Sequence, residues 1–147
     1  MSPPAASAPT DVTEMHRTTV VDVMHPGILA CAASARLVEV ARIMSARRVH
    51  CVAVIGGSEA KGASAIAGVI TDMDLLRWAT GSETHLPAGA IVRRPIVTAA
   101  PDSPVHDAAE LMVTAGADHV VVADDEGAPL GILSALDVAK VLSRGRV

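Results

Sequence analysis

Residues 68–74 read "GVITDMD", and residues 131–137, 63 positions further on, read "GILSALD". Each stretch is a glycine, two aliphatic residues suited to a strand, a hydroxyl residue, and an aspartate three positions after the hydroxyl. Two such stretches in a chain of 147 residues point to one structural unit written twice. Working outward tests that reading. "ARLVEVARIMSARRVHCVAVIGG" (35–57) slides by 68 positions onto "SPVHDAAELMVTAGADHVVVADDEG" (103–127). Leu37, Val40, Ala41 and Met44 then coincide with Val105, Ala108, Ala109 and Met112. Both sets follow i, i+3, i+4, i+7, the buried stripe of an amphipathic helix. Ser103 at the N-cap with Pro104 in the first turn is a start signal for the second helix, and Ser34 is the nearest cap for the first.

Each helix is followed by a β-branched run of strand length, "CVAVI" (51–55) or "HVVVA" (119–123), and then by a turn. A further strand comes next, "AIAGVI" (65–70) or "APLGIL" (128–133), and a closing helix starts at Asp72 or Ala135. The offset falls from 68 to 63 across the turn, so the first copy carries five extra residues near positions 56–64. An insertion in a Gly/Ser/Lys loop costs little. Upstream stands one more candidate strand in each copy, "GILAC" (27–31) and "PIVTA" (95–99). The class is therefore α+β: two β-α-β-β-α repeats, each too small to bury its apolar faces alone. The divisions are a flexible N-terminal tail at 1–17, repeat 1 at 18–82 and repeat 2 at 83–147.

Composition removes several function classes. Half the residues are hydrophobic, yet Trp78 is the single aromatic among Phe, Tyr and Trp, leaving no stacking platform for single-stranded nucleic acid. The formal charge of −4 generates no field toward DNA or anionic lipid, and the pairs Arg47-Arg48 and Arg93-Arg94 read as solvated surface. No stretch approaches the ~18 apolar residues of a membrane span, and the opening "MSPPAASAPTDVTEMHR" has no apolar signal-peptide core. The expected location is cytoplasmic. Cys31 and Cys51 share no metal or redox spacing and read as reduced, buried thiols. His16, His25, His50, His85, His106 and His119 form no HxH or HxxxH pair, so no metal is expected. No nucleophile–base pair stands at local spacing, so the chain is not expected to be an enzyme.

The ordered motifs "DVMHPGILACAASARLVEVARIM", "GVITDMDLL", "PIVTAAPDSPVHDAAELM" and "GILSALDVAKVL" resemble a tandem pair of CBS domains, a Bateman module, over everything except the tail. That resemblance implies two repeats meeting through their sheets, association into a homodimer, and adenine-containing ligands held in clefts between the repeats. AMP, ADP, ATP, S-adenosylmethionine and sometimes NAD are the ligands of the family, and their occupancy regulates a partner protein. No cofactor is required.

In that family the hydroxyl after the third strand contacts phosphate and the aspartate holds ribose. The assignment falls on Thr71 and Asp74 in one site and on Ser134 and Asp137 in the other. Helix starts suit an anion, because their N–H groups are unpaired. The same Thr/Ser-x-x-Asp spacing is equally that of a helix capping box, in which the pair serves only its own backbone. Both roles remain open at this stage. The arginine that many nucleotide-binding members carry before the aspartate is replaced by Met73 and Leu136, and Asp72 adds negative charge beside Thr71. The second site is better equipped: Thr98 stands on its first strand where the first copy has Ala30, neutral Ala135 follows Ser134, and His119 opens the adjacent strand. Val120 and Val121 fit an apolar wall for adenine or an ordinary strand core. Arg77 and Lys140 follow each aspartate by three positions, and Trp78 reads as an interface anchor or a half-buried core residue. The alternative function is a dimerisation scaffold with degenerate, ligand-free clefts.

Overall fold

The computed structural model describes residues 10–56, 65–92 and 96–144. The loop insertion near 56–64, the Arg93-Arg94 pair and the first residues of the tail lie, wholly or mostly, outside them. Seven helices and seven strands occur among the described residues. The chain divides into two compact units, residues 1–26, 97–125 and 130–147 forming the first and residues 27–96 and 126–129 the second.

The second unit holds the body of the first repeat. Strands β2 (Ala30–Ala32), β3 (Cys51–Ile55) and β4 (Ile66–Thr71) form a sheet in the order β2-β3-β4, with β2 parallel and β4 antiparallel to β3. Helix α3 (Leu37–Arg47) makes the crossover that a parallel pair requires. Its stripe behaves as its periodicity demands: Leu37, Val40 and Met44 are buried against Val52, Val54 and Ile70. Helix α4 (Asp72–Ala79) closes the repeat. The first unit repeats the plan with β5 (Thr98–Ala99), α6 (Val105–Ala115), β6 (His119–Ala123), β7 (Pro129–Ser134) and α7 (Ala135–Ser143). Val105, Ala108 and Met112 from α6 meet Val120, Val122, Leu133, Val138 and Val141.

Both long helices end alike. The residue after α3, Arg48, and the residue after α6, Gly116, both adopt the left-handed conformation, at φ 54° and 63°. The next N–H, of Val49 or Ala117, returns to the carbonyl of Met44 or Met112, as in a Schellman turn. Their starts are also alike and differ from expectation. Arg36 and Pro104 are the N-caps, and neither helix has a side-chain cap hydrogen bond, so Ser34 and Ser103 do not fill that role. A backbone bridge stands at each start instead. Thr19 forms an isolated antiparallel bridge with Pro104, and Pro87 forms one with Arg36. The Val105 N–H donates to the Thr18 carbonyl at 2.9 Å, and the Ala88 N–H to the Ala35 carbonyl at 2.9 Å.

These bridges explain how the units divide. Two short helices, α2 (Val20–Val23) and α5 (Ala88–Ile91), stand at the same 68-residue offset and lead into the two repeats. Each belongs to the unit that holds the other repeat's body. Val20 is fully buried in the first unit's core and Ala88 in the second's. The lead-in segments are exchanged, so the compact units do not coincide with continuous halves of the chain.

Two more elements, like α2 and α5, lay beyond the sequence reading. Residues 10–17, placed there in a flexible tail, form helix α1 (Thr10–Arg17), whose Met15 is 8 % exposed in the first unit's core. Strand β1 (His25–Pro26) adds to β7 antiparallel, with His25 opposite Ile132 and Pro26 opposite Gly131. A Cβ at Gly131 would collide with the His25 carbonyl oxygen, which is the reason for glycine in "GILSALD".

Candidate functional site

The repeated hydroxyl–aspartate motif falls where strand becomes helix in both units. Thr71 ends β4 and is the N-cap of α4, and Ser134 ends β7 and is the N-cap of α7. Each forms a complete capping box. The Asp74 N–H donates to Thr71 Oγ1 at 3.3 Å, while Asp74 Oδ2 accepts from the Thr71 N–H at 2.9 Å and its hydroxyl at 3.1 Å. The second copy matches: 3.2 Å from the Asp137 N–H to Ser134 Oγ, then 2.8 and 3.0 Å from the Ser134 N–H and hydroxyl to Asp137 Oδ2. Of the two readings the motif left open, capping is therefore realised in both repeats. Each carboxylate is buried, Asp74 at 7 % exposure and Asp137 at 1 %.

One oxygen of each carboxylate lies outside its box. Asp74 Oδ1 accepts from Arg77 Nη1 at 3.2 Å, one turn along α4. Asp137 Oδ1 has Lys140 Nζ at 4.0 Å and His25 Nε2 at 3.6 Å. The Arg77 and Lys140 positions thus serve the aspartates of their own helices. No sequence pattern could have found His25. It reaches Asp137 because β1 lies on β7, and that pairing joins residues more than a hundred positions apart.

The two helix starts differ in their free donors. In α4 the Met73 N–H is taken by Asp72 Oδ1 at 2.8 Å, and Asp72 Oδ2 lies 2.8 Å from His50 Nδ1. In α7 the corresponding residue is Ala135, and among the described residues nothing accepts from the Leu136 N–H. An anion at α4 would have to displace a carboxylate, whereas α7 presents an unpaired donor at its positive end.

The remaining candidates of the second copy gather around the same sheet. Thr98 is exposed on β5, opposite Val121 of the parallel strand β6. His119 opens β6, 9 % exposed, with Nδ1 2.9 Å from Asp118 Oδ1. The Asp118 carbonyl accepts from the Ala135 N–H at 2.9 Å, which sets the start of β6 beside the start of α7. Val120 and Val121 are 1 and 2 % exposed, and Val120 belongs to the unit's core. In the other unit a groove of about 360 Å³ is lined by Asp74, Arg77, Trp78, Ser82, Glu83 and Leu86. Trp78 is half-buried there and donates from Nε1 to the Thr84 carbonyl at 3.2 Å, packing also against the second unit's core. Neither Cys31 nor Cys51 is in a disulfide, and burial raises the Cys31 thiol above its ordinary pKa. Among the described residues no helix is long and apolar enough to cross a membrane.

Comparison with known proteins agrees with this architecture. No curated protein matches the chain by sequence. Among solved structures, a CBS domain pair in complex with 5-methylthioadenosine and S-adenosyl-L-methionine superposes with a TM-score of 0.74 at 21 % identity, over 86 % of this chain and 96 % of its own. The CBS domain of a bacterial CNNM/CorC family Mg2+ transporter in complex with ATP gives 0.74 at 19 % identity, covering 92 and 94 %. A hemolysin-like CBS protein of Oenococcus oeni gives 0.73 at 20 %, covering 90 and 95 %. At these identities the likeness is one of fold. The CBS domain family profile matches residues 20–81 and again 88–144. The chain accordingly belongs to the CBS domain family, as a tandem pair of its repeats.

Proposed function

We propose that this chain is a non-catalytic regulatory module that takes an adenine-containing nucleotide or related metabolite at the start of α7 and signals its occupancy to a partner protein in the cytoplasm. The observation that carries the reading is the unpaired Leu136 N–H beside the Ser134–Asp137 capping box, at a helix start with no acidic residue in the Asp72 position. Phosphate oxygens accept from that donor, and from the Ser134 hydroxyl once it turns away from Asp137 Oδ2, with Thr98 and His119 at the neighbouring strands. Ribose hydroxyls take the place of the Lys140 and His25 side chains now near Asp137 Oδ1. Val121 flanks Thr98 on the adenine side. Related CBS pairs hold S-adenosylmethionine, 5-methylthioadenosine and ATP, so AMP, ADP, ATP and S-adenosylmethionine are the ligands to try. Thr71 and Asp74 form a weaker counterpart, since Asp72 already occupies the donor a phosphate would use.

Thermal unfolding with each ligand tests this directly. A ligand present at 100 times its dissociation constant stabilises by about 2.7 kcal/mol. Ala135→Asp transplants the first copy's self-blocked helix start into the second, and it should abolish the shift while the unliganded midpoint stays near wild type. A shift unchanged in Ala135→Asp removes α7 as the site.

A second reading, a ligand-free dimerisation scaffold, is favoured by a separate observation. Met73 and Leu76 on α4 and Leu136 on α7 are 48, 57 and 55 % exposed, unusual for closing helices of a finished surface. Silence across the ligand panel, together with a dimer by light scattering, would select it.

A further inference from the structure

We propose that the second unit holds a pocket for a small aromatic carboxylate between the start of α3 and the end of α4, independent of any nucleotide at α7. Its origin is a difference between the repeats. In the first unit α1 packs on α6 and α7 and buries Met15 in the core. At the 68-residue offset that relates α2 to α5, α1 corresponds to residues 78–85. Of these only Trp78 and Ala79 are helical, as the end of α4, and Glu83, at the place of Met15, is exposed. The seam that α1 fills in one repeat is therefore filled only in part in the other, by Trp78 packing against the core.

What remains is a cavity of about 270 Å³. Trp78 and Leu86 supply apolar wall, and Ser34, Arg36, Thr84 and His85 supply polar groups. The indole is held in place by its Nε1, which donates to the Thr84 carbonyl at 3.2 Å. Among the described residues none of the four polar side chains has a hydrogen-bond or ion-pair partner, and no carboxylate lines the cavity.

A guanidinium, an imidazole and two hydroxyls, unopposed by acid, select a group with several acceptor oxygens and negative charge. One guanidinium fork matches a carboxylate in geometry and in charge, whereas a phosphomonoester would bring nearly two negative charges to a single arginine. An aromatic ring completes the fit by offset or edge-to-face contact with the indole. The volume lies below the roughly 300–1,000 Å³ of sites for drug-sized ligands, so the occupant is a single-ring acid. Bound there, it ties α3 through Arg36 to α4 through Trp78.

Trp78 is the single tryptophan and the chain has no Tyr or Phe, so intrinsic fluorescence reports this cavity alone. Titration of the full chain with benzoate or phenylacetate should change the emission saturably. Acetate, which has the charge without the ring, and benzamide, which has the ring without the charge, should not. Arg36→Gln should weaken binding by about 10–100-fold, as loss of a charged hydrogen-bond partner does. The helix start survives that change, because Arg36 caps α3 without a side-chain hydrogen bond. Equilibrium dialysis of the same pairs separates binding from quenching. No saturable response to either acid, with no uptake in dialysis, overturns the proposal. Affinity unchanged in Arg36→Gln overturns it equally. Benzamide binding as well as benzoate, or phenyl phosphate binding more tightly than both acids, overturns the carboxylate assignment.

Discussion

The cleanest energetic test of the repeat lies at the ends of its two long helices. Arg48 and Gly116 occupy the same place 68 residues apart, both left-handed, at φ 54° and 63°. For a residue with a side chain, that conformation brings Cβ against the following carbonyl and costs roughly 1–2 kcal/mol. Glycine escapes the cost and loses more backbone entropy on folding, an opposing contribution of about 0.5–1 kcal/mol. Arg48→Gly should therefore stabilise the protein by about 0.5–1 kcal/mol. The guanidinium contributes little against this, because Arg48 is exposed and has no ion pair among the described residues. Gly116→Ala is the mirror experiment. A Cβ there meets nothing within 4 Å, so its cost is conformational and free of steric clash. It should destabilise by about 1 kcal/mol. At this chain length each kcal/mol moves the midpoint by roughly 2–4 °C. Thermal unfolding by circular dichroism should show Arg48→Gly up by about 2–3 °C and Gly116→Ala down by about 3 °C. An Arg48→Gly protein that melts at or below wild type, beside a neutral Gly116→Ala, would refute the left-handed reading of both caps.

Ser134→Ala removes the hydroxyl from the α7 capping box and should cost about 1 kcal/mol by denaturant unfolding, as loss of an N-cap does elsewhere. Gly131→Ala pushes a methyl into the His25 carbonyl, and should cost about 1–3 kcal/mol while hydrogen exchange at Ile132 accelerates as β1 leaves β7. Leu133→Ala, at a position with 0 % exposure, should cost about 2–5 kcal/mol. Burial holds the Cys31 thiol above its ordinary pKa of 9.0, so the folded chain keeps a proton there that the unfolded chain releases. Stability from this group is full below pH 9, falls as pH rises above it, and at neutral pH iodoacetamide should alkylate Cys31 more slowly than a free thiol.

The helices and strands of each repeat were legible because their signals are local. Leu37, Val40 and Met44 announce a stripe, and the runs 51–55 and 119–123 announce strands, through side chains whose burial follows from period alone. The capping boxes were legible for the same reason, since Thr71 and Asp74 or Ser134 and Asp137 need only each other and one turn of helix. The starts of α3 and α6 were misread because a backbone bridge to a distant segment stands at each, Pro87 beside Arg36 and Thr19 beside Pro104, and at α6 the Val105 N–H is served by the Thr18 carbonyl. A side-chain cap leaves a mark in the sequence. A backbone bridge leaves none.

By itself the sequence determined the duplication, the order of elements in each repeat and the two helix starts where a ligand could be held, because all are properties of neighbours along the chain. Tertiary structure alone decided that α2 and α5 cross into the unit of the other repeat, that α1 and β1 join the first unit, and that His25 stands beside Asp137 and His16 beside His106. Those contacts form when apolar residues such as Met15 and Val20 leave water, and that driving force depends on area and not direction. Which polar groups it carries together is settled only once the core has closed.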